Sequence, residues 1–103
     1  MTLPRRRALA VTADGASNQT GWISLKEGGV VTVTGTITGA ITLQRRDAAG
    51  VISDVTNNSG VITTFTAVGT YTIGPNKTRS EYRLNAKSGA ISGVPFNMSI
   101  EGS

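Results

Sequence analysis

The sequence predicts an all-β single domain, a small two-sheet β-sandwich of about eight short antiparallel strands. Three observations predict it. Residues 30–46 read VVTVTGTITGAITLQRR, β-branched and small polar residues in alternation broken only by glycines, and side chains on a strand alternate faces. The chain holds 13 glycines and 15 threonines among 103 residues, a bias towards strands and turns and away from helices. No stretch places apolar residues at i, i+3, i+4 and i+7 over three turns, so the helical period is missing. Jelly-roll and immunoglobulin-like connectivity both fit a chain of this length.

The elements follow in order. Residues 1–7 contain a proline, three arginines and little apolar content, and read as a basic N-terminal arm without a core of its own. Residues 8–103 then form the sandwich. A first strand over 8–13 puts Leu9 and Val11 on one face, and 14–18 is turn chemistry. A second strand over 21–26 is turned back by Glu27, Gly28 and Gly29. Val31 and Val33 share a face of a third strand, 30–34, and Ile41 and Leu43 share a face of a fourth, 40–46. The alternation predicts that these two strands form one antiparallel hairpin, with Thr32, Thr34, Thr42 and Gln44 on its wet face.

Asp47 to Gly50 connects to a fifth strand over 51–55, and Asn57, Asn58, Ser59 and Gly60 suit another turn. Strands over 61–67 and 69–73 follow, then a loop at 74–77. Over 80–86, Tyr82, Leu84 and Ala86 face opposite to Arg83 and Asn85. A loop from 87 includes a short pairing at 90–92, and a last strand over 94–101 alternates Phe96, Met98 and Ile100. The shared phase within each strand assigns Ile41, Leu43, Phe65, Leu84, Phe96, Met98 and Ile100 to the core.

Composition narrows function by what it lacks. The chain has no cysteine and no histidine, which removes disulfides, thiolate nucleophiles, Cys/His metal sites and triads with an imidazole base. Asp47 and Asp54 flank a turn, but neither sits in an apolar stretch that would raise its pKa, and no oxygen-ligand cluster suits calcium. The expectation is a protein that is no enzyme and takes no cofactor and no metal. The longest apolar run is far below the roughly 18 residues that span a bilayer, so no membrane partner is expected and the cytoplasm is the expected place of assembly.

Net charge is +4, and the excess sits on Arg5, Arg6 and Arg7. That run has three readings: a solvated terminus, a dock for an acidic protein, or a phosphate contact with nucleic acid, which ranks last. Arg45 and Arg46 form a charged strand tip that serves solubility or contact. Of the five aromatics, only Trp22 falls off the core phase, alternating against Ile23 and Leu25, which suits a subunit interface. A thin core without disulfides also points to a homo-oligomer, a dimer or trimer.

Three segments carry a resemblance: Gly35 to Arg46 (GTITGAITLQRR), residues 51–55, and Tyr82-Arg83-Leu84 followed by Ser88-Gly89 and Ser92-Gly93. This layout resembles small β-sandwich structural proteins of tailed-bacteriophage virions, particularly head decoration or cement proteins. The resemblance spans residues 35–100. It implies a virion component on the capsid surface that binds the major capsid protein lattice from outside and clamps neighbouring subunits. A tail or head fibre adhesin domain that binds a host receptor or glycan shares the same features and is the rival expectation. Arg5, Arg6, Arg7, Trp22, Arg45 and Arg46 are the expected partner-binding residues.

Overall fold

Val11, Val31, Val33, Met98 and Ile100 are withdrawn from water on one layer, and Ile23, Leu25, Ile41, Leu43 and Leu84 on another. Two antiparallel sheets place them. The computed structural model describes residues 5–12, 18–56, 60, 63–75, 79–86, 91–93 and 95–102. The strands are β1 (Arg5–Val11), β2 (Ile23–Leu25), β3 (Gly29–Gly35), β4 (Thr38–Gly39), β5 (Ile41–Arg46), β6 (Ile52–Asp54), β7 (Thr64–Phe65), β8 (Gly69–Ile73), β9 (Ser80–Asn85), β10 (Ile91–Gly93) and β11 (Phe96–Gly102). The turn segments expected at 14–17, 57–59, 76–77 and 87–89 lie outside the described residues, as do residues 1–4.

One sheet has four strands in the order β1-β11-β3-β8; the other has five, ordered β2-β9-β5-β6 with β7 also paired to β5. A two-stranded ribbon, β10-β4, completes the set. Along the chain β1, β3 and β8 belong to the first sheet, while β2, β5 and β9 belong to the second. The chain thus passes back and forth between the sheets, staying in the second over β5, β6 and β7, and the last strand closes beside the first. This is the wrap of a jelly roll, and it separates the chain from the immunoglobulin-like alternative.

All seven residues assigned to the core from their phase are buried there, together with Tyr82 and Ala86. The alternation was sufficient because each strand has one inward face, whichever sheet it joins.

Three expectations are corrected. The run at 30–46 is not a hairpin: β3 pairs with β11 and β8, whereas β5 pairs with β9, β6 and β7. Gly35 ends β3 with φ +98°, and a Cβ there would meet Phe96 Cα and Pro95 O at 2.9 Å, so the chain turns sharply and crosses the sandwich. Secondly, β5 has no wet face at Thr42 and Gln44, which are buried at 6% and 8% exposure. It is an interior strand whose outer side is covered by polar neighbours.

Thirdly, Arg5, Arg6 and Arg7 do not form an arm separate from the sandwich. They belong to β1 and pair with Gly102, Glu101 and Ile100 of β11. Backbone ladder bonds are indifferent to side-chain polarity, and Val11, buried further along β1, anchors the strand. The remaining strand boundaries shift by a few residues at most, except that of the described residues 63–67 only Thr64–Phe65 is a strand; 61 and 62 lie outside the described residues. The ribbon strand β4 was not expected at all; its partner lies about fifty residues away, beyond the reach of local pattern.

Candidate interaction surface

The surface begins with a fault in a ladder. Ile23, Ser24 and Leu25 pair with Tyr82, Glu81 and Ser80 of β9, and Gln19 makes a bridge with Asn85. From Gln19 to Ile23 the chain takes four steps while its partners take three, so one extra residue sits at Gly21–Trp22. Such a bulge re-aims a side chain. Thr20 absorbs part of the disruption: its Oγ1 accepts the Leu84 N–H at 3.0 Å and donates to Gly21 O at 3.1 Å.

Trp22 is thereby carried off the core face onto the outer side of the five-stranded sheet. The guanidinium carbons of Arg46 and Arg83 lie 4.4 and 4.5 Å from the centre of its ring. Cation–π contacts of this kind contribute from about 0.5 kcal/mol when exposed to about 2 when desolvated. Arg46 Nη2 also donates to Glu81 Oε2 at 2.6 Å. That pair is about one-third exposed on the arginine side, so its role is mostly to orient Arg46.

Beneath the arginines lies a buried polar relay. Gln44 Nε2 donates to Asp54 Oδ1 at 2.9 Å, and its Oε1 accepts from Arg83 Nε at 2.8 Å and Asn85 Nδ2 at 3.1 Å. Gln44 thus fixes the Arg83 stem from below. Burial, and then the nearby Arg46 charge, hold the Arg83 pKa below the ordinary guanidinium value. Among the described residues Arg46–Glu81 is the one ion pair.

Two of the expected arginines join this surface from the neighbouring sheet. Arg7 lies over Gly21, where an added Cβ would stand 3.2 Å from its Cδ and Nε. Arg5 Nη1 donates to Ser24 O at 3.3 Å, and Arg79 Nη1 donates to the same oxygen at 3.2 Å. Arg5, Arg7, Arg46, Arg79 and Arg83 therefore ring the segment from Gly21 to Leu25, half of the ten basic side chains of the chain.

The other two expected residues point elsewhere. Arg6 alternates to the outer face of the four-stranded sheet, beside a shallow trough of about 400 Å³ shared with Ala8, Thr32 and Ser99. Arg45 follows the Leu43 phase and is exposed beyond the end of the core. Asp47 and Asp54, weighed as an acid/base pair, have separate tasks. Asp47 Oδ1 accepts from Ala49 N and Val51 N, both at 2.9 Å, and shapes the β5–β6 turn.

No family model, curated protein or solved structure matches the chain. What the surface does must follow from its own chemistry. Among the described residues no three acidic, histidine or cysteine side chains gather as a metal site, and no helix is long and apolar enough to cross a membrane.

Arg83, Arg79 and Gln44 are the members that sequence reasoning missed. A signal existed: Thr42-Gln44-Arg46 and Glu81-Arg83-Asn85 are both wholly polar on the phase opposite the core. Only the pairing of β5 with β9, with Gln44 opposite Arg83, brings the two sets together.

Proposed function

We propose that this chain is a non-enzymatic structural protein of a phage virion, a decoration (cement) protein. It binds the outer surface of the major capsid protein lattice and stabilises the shell by bridging neighbouring subunits, having assembled there in the host cytoplasm. Jelly rolls also serve lectins and cupins, so the fold does not select this role. The observation that carries it is the aromatic anchor Trp22 set among five arginines. Buried-capable tryptophan and arginine dominate the energetics of protein docking sites. The resemblance of segments 35–46, 51–55 and 82–84, with the later Ser-Gly pairs at 88–89 and 92–93, to head decoration proteins supplies the partner. Modest affinity per contact suffices, because many copies act together on one shell.

The test is sedimentation of the purified protein with empty capsids of the parent phage across a salt series. Binding that weakens with salt supports the role. Glycan-array binding with no capsid binding overturns it and makes the chain a fibre adhesin.

The arginines of β1 are expected to divide in this assay. Arg5→Ala with Arg7→Ala removes the two cations that lie against Ser24 and Gly21 and lowers capsid affinity, and the residual binding depends less on salt. Arg6→Ala, on the other sheet face, leaves affinity within about twofold, as for a peripheral contact. Equal losses in both variants would place the docking surface elsewhere.

Self-association belongs to the same proposal. A bridging clamp works best as a dimer or trimer, and the 10.6 kDa chain has no cysteine for a disulfide to supplement a small core. Light scattering of the free protein is expected to return a mass two or three times that of the chain. A monomer at high concentration would remove the oligomer from the mechanism.

A further inference from the structure

We propose that Arg83, held beside Arg46 against the Trp22 ring, is a carboxylate-binding site that receives an acidic side chain of the partner protein. The inference rests on the docking role above and narrows it to one contact and one ligand chemistry.

Among the described residues no hydrogen bond engages Nη1 or Nη2 of Arg83, which is part-exposed. Its Nε is engaged by Gln44 Oε1 at 2.8 Å, which fixes the plane of the guanidinium and leaves Nη1 and Nη2 as an end-on fork. A carboxylate accepts two parallel bonds from such a fork. Gln44 is itself held by Asp54 and Asn85, so the fork is oriented before any ligand arrives. Preorganisation of this kind lowers the ordering cost of binding.

Charge points the same way. Two guanidiniums share one indole, and Glu81 answers Arg46 alone. Burial first, and then the Arg46 charge, lower the Arg83 pKa, and a bound carboxylate would offset the second of these. Beside Arg46 and Glu81 opens a cleft of about 480 Å³ lined also by Arg45, Asp47, Arg79 and Ser80; Arg83 is not in its wall, but its three arginines outnumber its two carboxylates next to the site.

A nucleic-acid strand fits less well. It needs successive open cations for successive phosphates, whereas Arg46 is tied to Glu81 and both Arg5 and Arg79 to Ser24 O. A guanidinium held flat by Gln44 matches one planar carboxylate better than a run of phosphates.

Trp22 is the only tryptophan of the chain, so its fluorescence reports on the site directly. The full-length protein is titrated with a hexaglutamate peptide, with hexaglutamine, with inorganic phosphate and with a short single-stranded DNA. The proposal expects a saturable change in emission with hexaglutamate, absent with hexaglutamine and weaker with phosphate and DNA. Arg83→Gln should weaken it at least tenfold, and Arg83→Lys, which keeps a charge but not the fork, at least threefold. Arg6→Gln should match the parent, and circular dichroism should show all variants folded. If Arg83→Gln does not fold, the Arg83→Lys result decides.

An unchanged response in the Arg83 variants, or DNA binding as tight as hexaglutamate, overturns the site. Its failure is distinguishable from failure of the cement role. Capsid sedimentation that persists in Arg83→Gln without a peptide response removes the site alone. A peptide response without capsid binding keeps the site and removes the capsid.

Discussion

Phe96→Ala is expected to lower the unfolding free energy by about 3–5 kcal/mol, the cost of emptying a large aromatic site in a packed core. Phe96 is the largest fully buried side chain, at 1% exposure. It begins β11, the strand that joins β1 to β3, and pairs with Val11 on one side and Gly35 on the other. With ladders on both flanks the backbone cannot close over the void. Domains of this size have stabilities of roughly 5–15 kcal/mol, so about a fifth or more would be lost. Urea denaturation followed by circular dichroism measures it. Val51→Ala is the control: Val51 is 60% exposed, and such a change stays within about 0.5 kcal/mol. A Phe96→Ala midpoint near that of the control would mean that β11 is not the structural centre of its sheet.

Gln44→Met is expected to cost about 2–4 kcal/mol although it preserves shape and increases apolar character. Its amide serves three partners: Asp54, Arg83 and Asn85. Methionine fills the volume but donates nothing and accepts weakly. Asn85, only 7% exposed, loses its acceptor in a place with little water, and the Arg83 cation loses the group that fixes its plane. The variant is expected to shift the denaturation midpoint and also to broaden the Trp22 environment, read as a change in emission. A loss below about 1 kcal/mol would show that water replaces the relay at little cost.

The two variants probe two different kinds of information. Phe96 was identifiable from sequence, because Phe96, Met98 and Ile100 alternate with Asn97, Ser99 and Glu101, and this pattern buries the same side chains in any sheet. Gln44 was not. Its place after Leu43 and before two arginines reads as the wet side of a hairpin, the ordinary position for such a residue. Trp22 was half legible: its phase against Ile23 and Leu25 set it off the core, but the bulge and the two arginines beside its ring depend on β9. Arg5, Arg6 and Arg7 read as one run, yet strand alternation divides them between the two faces of β1.

By itself the sequence determined the all-β class, half of the buried core (seven of its fourteen described residues) and most strand positions. These depend on period-two patterning and turn chemistry, which act between residues close in the chain. Only the tertiary structure decided that β3 and β5 lie in different sheets, that β1 includes the arginines, and that Gln44 meets Arg83. An alternating strand presents the same inward face whether its neighbour in sequence pairs with it or crosses to the opposite sheet. Which strand lies beside which is settled by contacts between distant segments, and the arginine surface is a product of those contacts.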